Sequence, residues 1–372
     1  MARAPAGPPK YKHVYDTLWR DIRSGKLERG QRLPSEAELG RRFGASRITV
    51  GRAVRDLQLQ GMVERRAGSG TFVRAPQAPQ AQALSFGLLI PDLGETEIFE
   101  PVCQGMMASP LAERHALVWG SPHGGANKEE RAWQQCQHYI QRQVSGVFFA
   151  PLEFGEASAD VNERIANALD AAGIPIVLLD RTVYAYPERG HHDLVGIDNR
   201  RAGYAVTAHL LKLGSRRISF VGLPNAAATV DAREAGYREA LFAWNLTAET
   251  PRAHRLDPSD RASVRALVES DRPDGIVCAN DRTAGRLMQT LLRIGSAIPG
   301  DIRLVGIDDV EFAGLLPVPL TTWRQPTRQI GEAALAAMLE RVARRDLPAR
   351  DILLDCQLIV RESCGKRRST ED

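Results

Sequence analysis

Apolar positions near the start of the chain recur at helical spacing. Val14, Leu18 and Ile22 form one stripe of a helix over residues 11–24, which Gly25 closes. In LPSEAEL, Ser35 stands three residues before Glu38, the capping-box spacing that opens a second helix; this one ends near Gly44. Ser46 then caps a third helix with Val50, Ala53, Val54 and Leu57 facing inward and Arg47, Thr49, Arg52 and Arg55 on the opposite face. After Gly61, MVERRAGSGTFV reads as two short strands around a Gly-Ser-Gly turn. Helix, helix-turn-helix and basic hairpin in that order predict a winged helix-turn-helix domain over residues 1–75.

The pattern then changes twice. APQAPQAQA (75–83) has neither apolar periodicity nor charge and reads as a semi-extended tether, with the linker placed at 76–84. Beyond it come FGLLIPD, HALVWGS, GVFFAPL, PIVLLD, DLVGID, RISFVG, DGIVCAN and IRLVGID, apolar runs of the kind buried on both faces of a parallel sheet. Helical stretches such as 201–213 and 284–294 lie between most of them. Strand–helix alternation predicts an α/β doubly wound body over 85–365. Eight or more strands exceed one comfortable sheet, so two lobes are expected: the first at about 85–182 and 326–348, the second at about 183–322 and 351–365.

Charge separates the same two regions. Residues 1–75 carry 16 Lys/Arg against 7 Asp/Glu, whereas the rest carry 33 against 38. The net +4 of the chain is therefore an average over a basic head and a slightly acidic body, and the head is the part suited to a polyanion. The N-terminal stretch MARAPAGPPKYKH lacks the apolar segment of a secretory signal, and no apolar run approaches the roughly 20 residues needed to span a bilayer. Five scattered cysteines without a CxxC spacing point to a reducing cytoplasm. His191–His192 lies in a polar loop beside Pro187 and Gly190 and reads as a solvated pair. Neither metal nor cofactor is expected.

The head has the chemistry of a DNA binder. A helix N-terminus presents free N–H groups to phosphate, and Arg and Thr reach phosphates and base edges in the major groove. A small Gly68-Ser69-Gly70 tip lets the wing approach a groove. The stretch from YKHVYD to GSGTFV, with its LPSE, SRITV and GTFV landmarks, resembles the GntR family of bacterial regulators. The resemblance implies that Ser35, Ser46, Arg47, Thr49 and Arg52 serve the helix-turn-helix, and Arg65, Arg66, Gly68, Ser69, Gly70 and Thr71 the wing. Ala37 and Gly51 stand where the family usually has Arg, so the operator need not be the family's usual one, and Arg52 is placed to take over a phosphate contact.

In doubly wound sheets, ligands bind beyond the carboxyl ends of the strands. Here those ends carry Asp92, Asp180–Arg181, Asp198–Asn199, Asn280–Asp281 and Asp308–Asp309, donors and acceptors suited to a sugar's hydroxyls. Asp281 and Asp309 also read as turn or helix-cap residues. The stretches LLDR, GIDNRRAGYAVTAHLLKLGSRRISFVG, DAREAGY, CANDRTAG, RLVGIDD, LTTWRQPTRQIGEAA and LIVRESC resemble the two-lobed fold shared by periplasmic ribose- and galactose-type binding proteins and by lactose-repressor-family effector domains. The whole chain thus has the arrangement of an arabinose-repressor-type regulator. Matched by position, the resemblance assigns ligand contacts to Asp180, Arg181, Asn199, Arg233, Asn280, Asp308 and Gln325, with Phe99 stacking on the ring. ETEIFEP replaces the common Asn-Pro-Phe-Phe, adding Glu97 and Glu100 as acidic groups, and Trp323 is placed as cleft wall or hinge packing.

No GxSxG, GxxxxGK[ST] or HExxH pattern is present, and the body's three lysines lack the context of a Schiff-base pocket. The expectation is a non-enzymatic regulator, a repressor and homodimer on a palindromic duplex DNA operator, released by a pentose or similar monosaccharide. A purine, nucleoside or amino-acid effector and a transport receptor are the alternatives.

Overall fold

The computed structural model describes residues 10–365 apart from 24, 29, 60–61, 67–68, 75–82, 92, 94–96, 121–126, 154–155 and 247–251. Its contacts divide the chain into two units, Met1–Gln82 and Ala83–Asp372.

In the first unit, helices Lys10–Arg23, Glu36–Phe43 and Arg47–Leu59 precede a hairpin of Val63–Arg66 with Gly70–Val73. The apolar stripe closes one core: Val14, Leu18 and Ile22 meet Leu39, Val50, Ala53, Val54 and Leu57, and Val63 and Val73 seal the hairpin side. The capping box forms as its spacing requires, with Ser35 Oγ accepting from the Glu38 N–H and the Glu38 carboxylate accepting from the Ser35 N–H at 2.7 Å. One feature was not legible: Leu33 N–H donates to the Thr71 carbonyl and Arg32 bridges Phe72, adding a third backbone segment to the hairpin.

The second unit holds two six-stranded sheets. The first runs Asp351–Leu354, Asp193–Ile197, Ile176–Leu179, Gly146–Phe149, Ser85–Leu89, Ala116–Val118, parallel throughout. Its central strands GVFF and IVLL are buried at every position, which is why they read as continuous apolar runs. The second sheet orders Arg252–Arg255, Ile218–Gly222, Gly275–Cys278, Arg303–Asp308, Thr321–Arg324 in parallel, then adds Gln357–Ile359 antiparallel.

This pairing corrects the expected lobe division. Strand Asp193–Ile197 pairs with Ile176–Leu179 and with Asp351–Leu354, so both it and 351–354 belong to the first lobe. The Pro- and Gly-containing loop after Arg181 is an excursion, and the crossing lies at Asp198. Asp193 fixes the arrangement: its fully buried carboxylate accepts from Arg341 at 2.8 Å and Arg350 at 3.3 Å, tying the strand to the last long helix, Thr327–Ala343, and to the segment leading into 351–354. The chain crosses between lobes again near Gln325 and between Leu354 and Gln357.

Helices Asn199–Lys212 and Ala228–Ala243 pack backbone to backbone on the second lobe. A Cβ on Gly203 would stand 1.9 Å from the Arg233 carbonyl oxygen, and one on Gly236 1.8 Å from that of Arg200. These glycines set the distance between Asn199 and Arg233. Gly236→Ala is therefore expected to cost about 1–3 kcal/mol and to lower Tm by several degrees. An unchanged Tm would show that the two helices separate freely.

Candidate functional site

Each group at the cleft is delivered by a strand end or the helix after it. Asp180 follows Ile176–Leu179 at φ 67°, a left-handed conformation that Asp tolerates. Asp308 ends Arg303–Asp308 at φ 121°. Arg233 comes from helix Ala228–Ala243, and three of its guanidinium's five N–H groups have protein partners. Nε donates to Asn199 Oδ1 at 2.8 Å, one terminal nitrogen to the Ala279 carbonyl at 2.6 Å, and the other to Asp308 Oδ1 at 3.3 Å. Gln325 Nε2 donates to the same Asp308 oxygen at 2.7 Å. Both donors converge on Oδ1, so Asp308 Oδ2 has no protein donor among the described residues.

On the facing lobe, Arg181 Nε donates to the Pro151 carbonyl at 2.6 Å. One terminal nitrogen lies 3.6 Å from Asp180 Oδ2, and the guanidinium stands 5.7 Å over the Phe99 ring. Asp180 Oδ1 is buried and has no hydrogen-bond partner. A buried carboxylate oxygen without a donor is costly in a folded protein, and the cost is removed by a ligand hydroxyl.

These groups enclose a cavity of about 210 Å³ with walls from both lobes: Phe99, Asp180 and Arg181 on one side, Arg233, Asn280 and Asp308 on the other. That is smaller than the roughly 300 Å³ at which drug-sized pockets begin. It adjoins a wider cavity of about 600 Å³ lined by Glu100, Gln325 and Phe312. Gln325 reaches the site through Asp308. Asn199 lines neither cavity and orients Arg233. Asn280 lines the smaller one while its Oδ1 caps helix Asp281–Arg293 by accepting from the Thr283 N–H at 2.8 Å.

Asp281 and Asp309 are framework, although the cap of helix Asp281–Arg293 is Asn280 and neither aspartate caps a helix. Asp281 is fully buried and accepts from Thr322 Oγ1 at 2.6 Å and the Val310 N–H at 3.1 Å. Asp309 pairs with Arg324 and Arg361, each at 2.6 Å. Asp198 caps helix Asn199–Lys212 through the Arg201 N–H at 2.9 Å. Trp323 packs at the margin of the apolar core, and Asp92 lies outside the described residues.

Several cavity-lining groups were not foreseen: Lys128, Glu153, Thr229, Arg282 and Arg286. Arg282 donates to Glu97 at 2.7 Å, joining the lobes across the cleft and committing Glu97 to an ion pair. Lys128 and Arg286 line the same cavity from opposite lobes, and neither has a carboxylate partner among the described residues.

Burial, partly offset by Arg233 and the Gln325 amide and reinforced by Asp180 and Glu97, raises the Asp308 carboxyl to about 6. Above that pH the group is an anion that accepts from a ligand; below it, the carboxyl is protonated and the acceptor is lost. Ligand affinity is therefore expected to be flat above pH 7 and to fall as pH drops through 6. Titration calorimetry across pH 5–8 checks this, and a pH-independent affinity would remove Asp308 from the contact set.

On the head, the third helix opens with Ser46 Oγ accepting from the Thr49 N–H at 3.2 Å. Arg47 is exposed, and Ile48 beside it is 86% exposed. An exposed Ile on this turn was not anticipated; it offers an apolar contact of the kind a thymine methyl makes. Arg52 stacks over Tyr11 at 4.6 Å. Arg65 pairs with Glu36 at 3.1 Å, and Arg66 pairs with Glu64 at 2.6 Å and lies over Phe72. Ser35 spends its hydroxyl on the capping box. Gly70, at φ 116°, leaves room for Arg32, whose Nε would be 2.6 Å from a Cβ there. Ser69 is exposed and Thr71 half-buried, whereas Gly68 lies outside the described residues.

Two family models fit these two units. Residues 10–73 match the gntR family of bacterial regulatory proteins, and residues 207–364 match a periplasmic binding protein-like domain. The chain thus joins a gntR-type head to a periplasmic binding protein-like body, the pairing of a transcriptional regulator. Over 364 residues the regulator is 26% identical to the arabinose metabolism transcriptional repressor of Geobacillus stearothermophilus, covering 95% of this chain and 97% of that one. The transcriptional repressor PurR of Vibrio vulnificus is 29% identical over 273 residues, 72% of this chain and 78% of its own. A solved LacI family transcriptional regulator from Enterococcus faecium, with bound ribose, superposes with a TM-score of 0.61 at 22% identity, over 75% of this chain and 98% of that one, and so shares its fold. Among the described residues, no helix of the regulator is long and apolar enough to cross a membrane.

Proposed function

We propose that the regulator is a repressor whose affinity for operator DNA is set by a pentose or similarly small monosaccharide held between its two lobes. The observation that carries this reading is the pairing of a donorless buried oxygen on Asp180 with the open Oδ2 of Asp308, from opposite lobes, in a cavity of about 210 Å³. Hydroxyls of one small ring can donate to both, and a ligand that bonds both lobes favours the form in which they close. Phe99 supplies an apolar face for the ring, and Arg181, Arg233 and Asn280 can donate to its oxygens. The names of the relatives, an arabinose repressor and a ribose-bound regulator, point the same way.

In this reading Ser46, Arg47, Thr49 and Arg52 read the operator from the third helix, with Ile48 beside them and Arg65, Arg66 and Ser69 to Thr71 on the wing. The regulator acts in the cytoplasm as a homodimer on a palindromic site. In this reading the body binds its effector rather than transforming it.

The relatives named PurR favour a purine as the second reading. A purine is best held between aromatic faces, and Phe99 is the aromatic ring among the described residues lining the smaller cavity. A thermal-shift panel of pentoses, hexoses, polyols, nucleosides and purine bases decides between them. A pentose is expected to raise Tm and to release DNA in a gel shift. A response to purine bases alone would overturn the sugar assignment.

A further inference from the structure

Outside the cleft, the first lobe gathers a second set of polar side chains. Asp170 closes the helix Glu156–Ala171, and His191–His192 immediately precede strand Asp193–Ile197. The fold brings these distant segments together, so that His191 Nε2 lies 2.9 Å from Asp170 Oδ2 and His192 Nε2 lies 3.1 Å from the same oxygen. The two imidazoles lie with centroids 4.2 Å apart and planes inclined by 38°, and both present their Nε2 atoms to one carboxylate. We propose that Asp170, His191 and His192 form a binding site for a divalent transition ion of the zinc type, independent of the effector cleft.

The geometry matches the size of such an ion. Bonds of about 2.0–2.2 Å in a tetrahedron place neighbouring ligand atoms about 3.3 Å apart. The separations of 2.9 and 3.1 Å therefore need to widen by only a few tenths of an ångström, and all three donor atoms already lie within 4.8 Å of one another. Imidazole nitrogen with carboxylate oxygen is the donor set preferred by zinc, copper and nickel over magnesium or calcium. His192 is almost buried, which fixes one ligand, whereas the His191 side chain is 69% exposed, which leaves an entry path and room for water to complete the shell. His192 Nδ1 has no hydrogen-bond partner. Without an outer acceptor to orient that ring, a site loses about 10–100-fold in affinity, so a micromolar rather than nanomolar dissociation constant is expected. A bound ion would clamp the loop after Arg181 to the helix beneath it.

The test uses the full chain, stripped with chelator, dialysed and titrated with zinc chloride by calorimetry, with Tm followed in parallel. One zinc per chain with a micromolar dissociation constant and a rise in Tm is expected. His191→Ala removes an exposed side chain and Asp170→Asn keeps the shape of the carboxyl. Each should weaken zinc binding about tenfold or more while leaving the circular dichroism spectrum unchanged. Absence of saturable one-to-one binding by the wild-type chain would overturn the proposal. Wild-type affinity in both variants would do the same, since the ion would then sit on other histidines or cysteines.

Discussion

Replacing Arg233 with alanine is expected to abolish the effector response while operator binding by the head persists. Arg233 is 4% exposed and holds Asn199, the Ala279 carbonyl and Asp308 at once. Its removal takes a donor from the cleft and leaves the Asp308 carboxylate buried beside a single amide donor. Breaking a buried pair from one side costs about 3–5 kcal/mol. The loss should depend on pH in a defined direction. Arg233 is the group that most lowers the Asp308 carboxyl against the effect of burial, so without it that carboxyl titrates higher than about 6. Below that value Asp308 is neutral in the variant and its burial is tolerated; above it, the charge must be buried unpaired. The Tm difference between variant and wild type should therefore be larger at pH 8 than at pH 5. Asp308→Asn, which cannot carry that charge, should lose effector affinity without this pH trend. An Arg233→Ala variant that still releases DNA at the wild-type effector concentration would show that the cleft has been assigned to the wrong residues.

The second large effect is expected on the head. Arg47→Ala should weaken operator binding by about 1–3 kcal/mol if the guanidinium meets a base edge. If it meets a phosphate instead, the slope of log affinity against log salt should become shallower by about one. Arg47 is exposed at the start of the third helix and does not belong to the apolar core of the head, so the fold should not change. Because the head is a separate unit, effector binding measured on the same variant should match the wild type. Anisotropy titrations at several salt concentrations separate the two contact types, and wild-type affinity at every salt would remove Arg47 from the interface.

Much of this arrangement was legible because it rests on local rules. Val14, Leu18 and Ile22 must share a face at helical spacing, Ser35 and Glu38 must cap one another, and runs such as GVFF can only be strands buried on both sides. The elements that escaped notice lack those signatures. Arg252–Arg255 is a half-buried edge strand with Ala253 as its single apolar residue, and Gln357–Ile359 is a three-residue antiparallel edge. The lobe boundary was misplaced because the loop with Pro187 and Gly190 resembles a crossover. Only the pairing of Asp193–Ile197 and the burial of Asp193 between two arginines show that it is not. In the cleft, groups at strand ends were visible because the chain itself places them there. Lys128, Arg282 and Arg286 were not, since long side chains on helices reach the cavity only through the relative placement of the lobes. The contact between Asp170 and His191–His192 likewise depends on where a loop returns, and spacing along the chain carries no trace of it.

In the proposed mechanism, a sugar in the cleft and DNA on the head oppose one another through one coupling energy, and reciprocity makes it measurable. A coupling of about 1–3 kcal/mol weakens DNA binding by about 5–150-fold when sugar saturates the cleft, and saturating operator must weaken sugar binding by the same factor. Titrating the effector into the full-length protein with and without an excess of operator duplex measures that factor directly. A sugar dissociation constant raised by DNA to the extent that the sugar weakens DNA binding is the predicted result. A sugar dissociation constant unchanged by saturating operator would contradict the account.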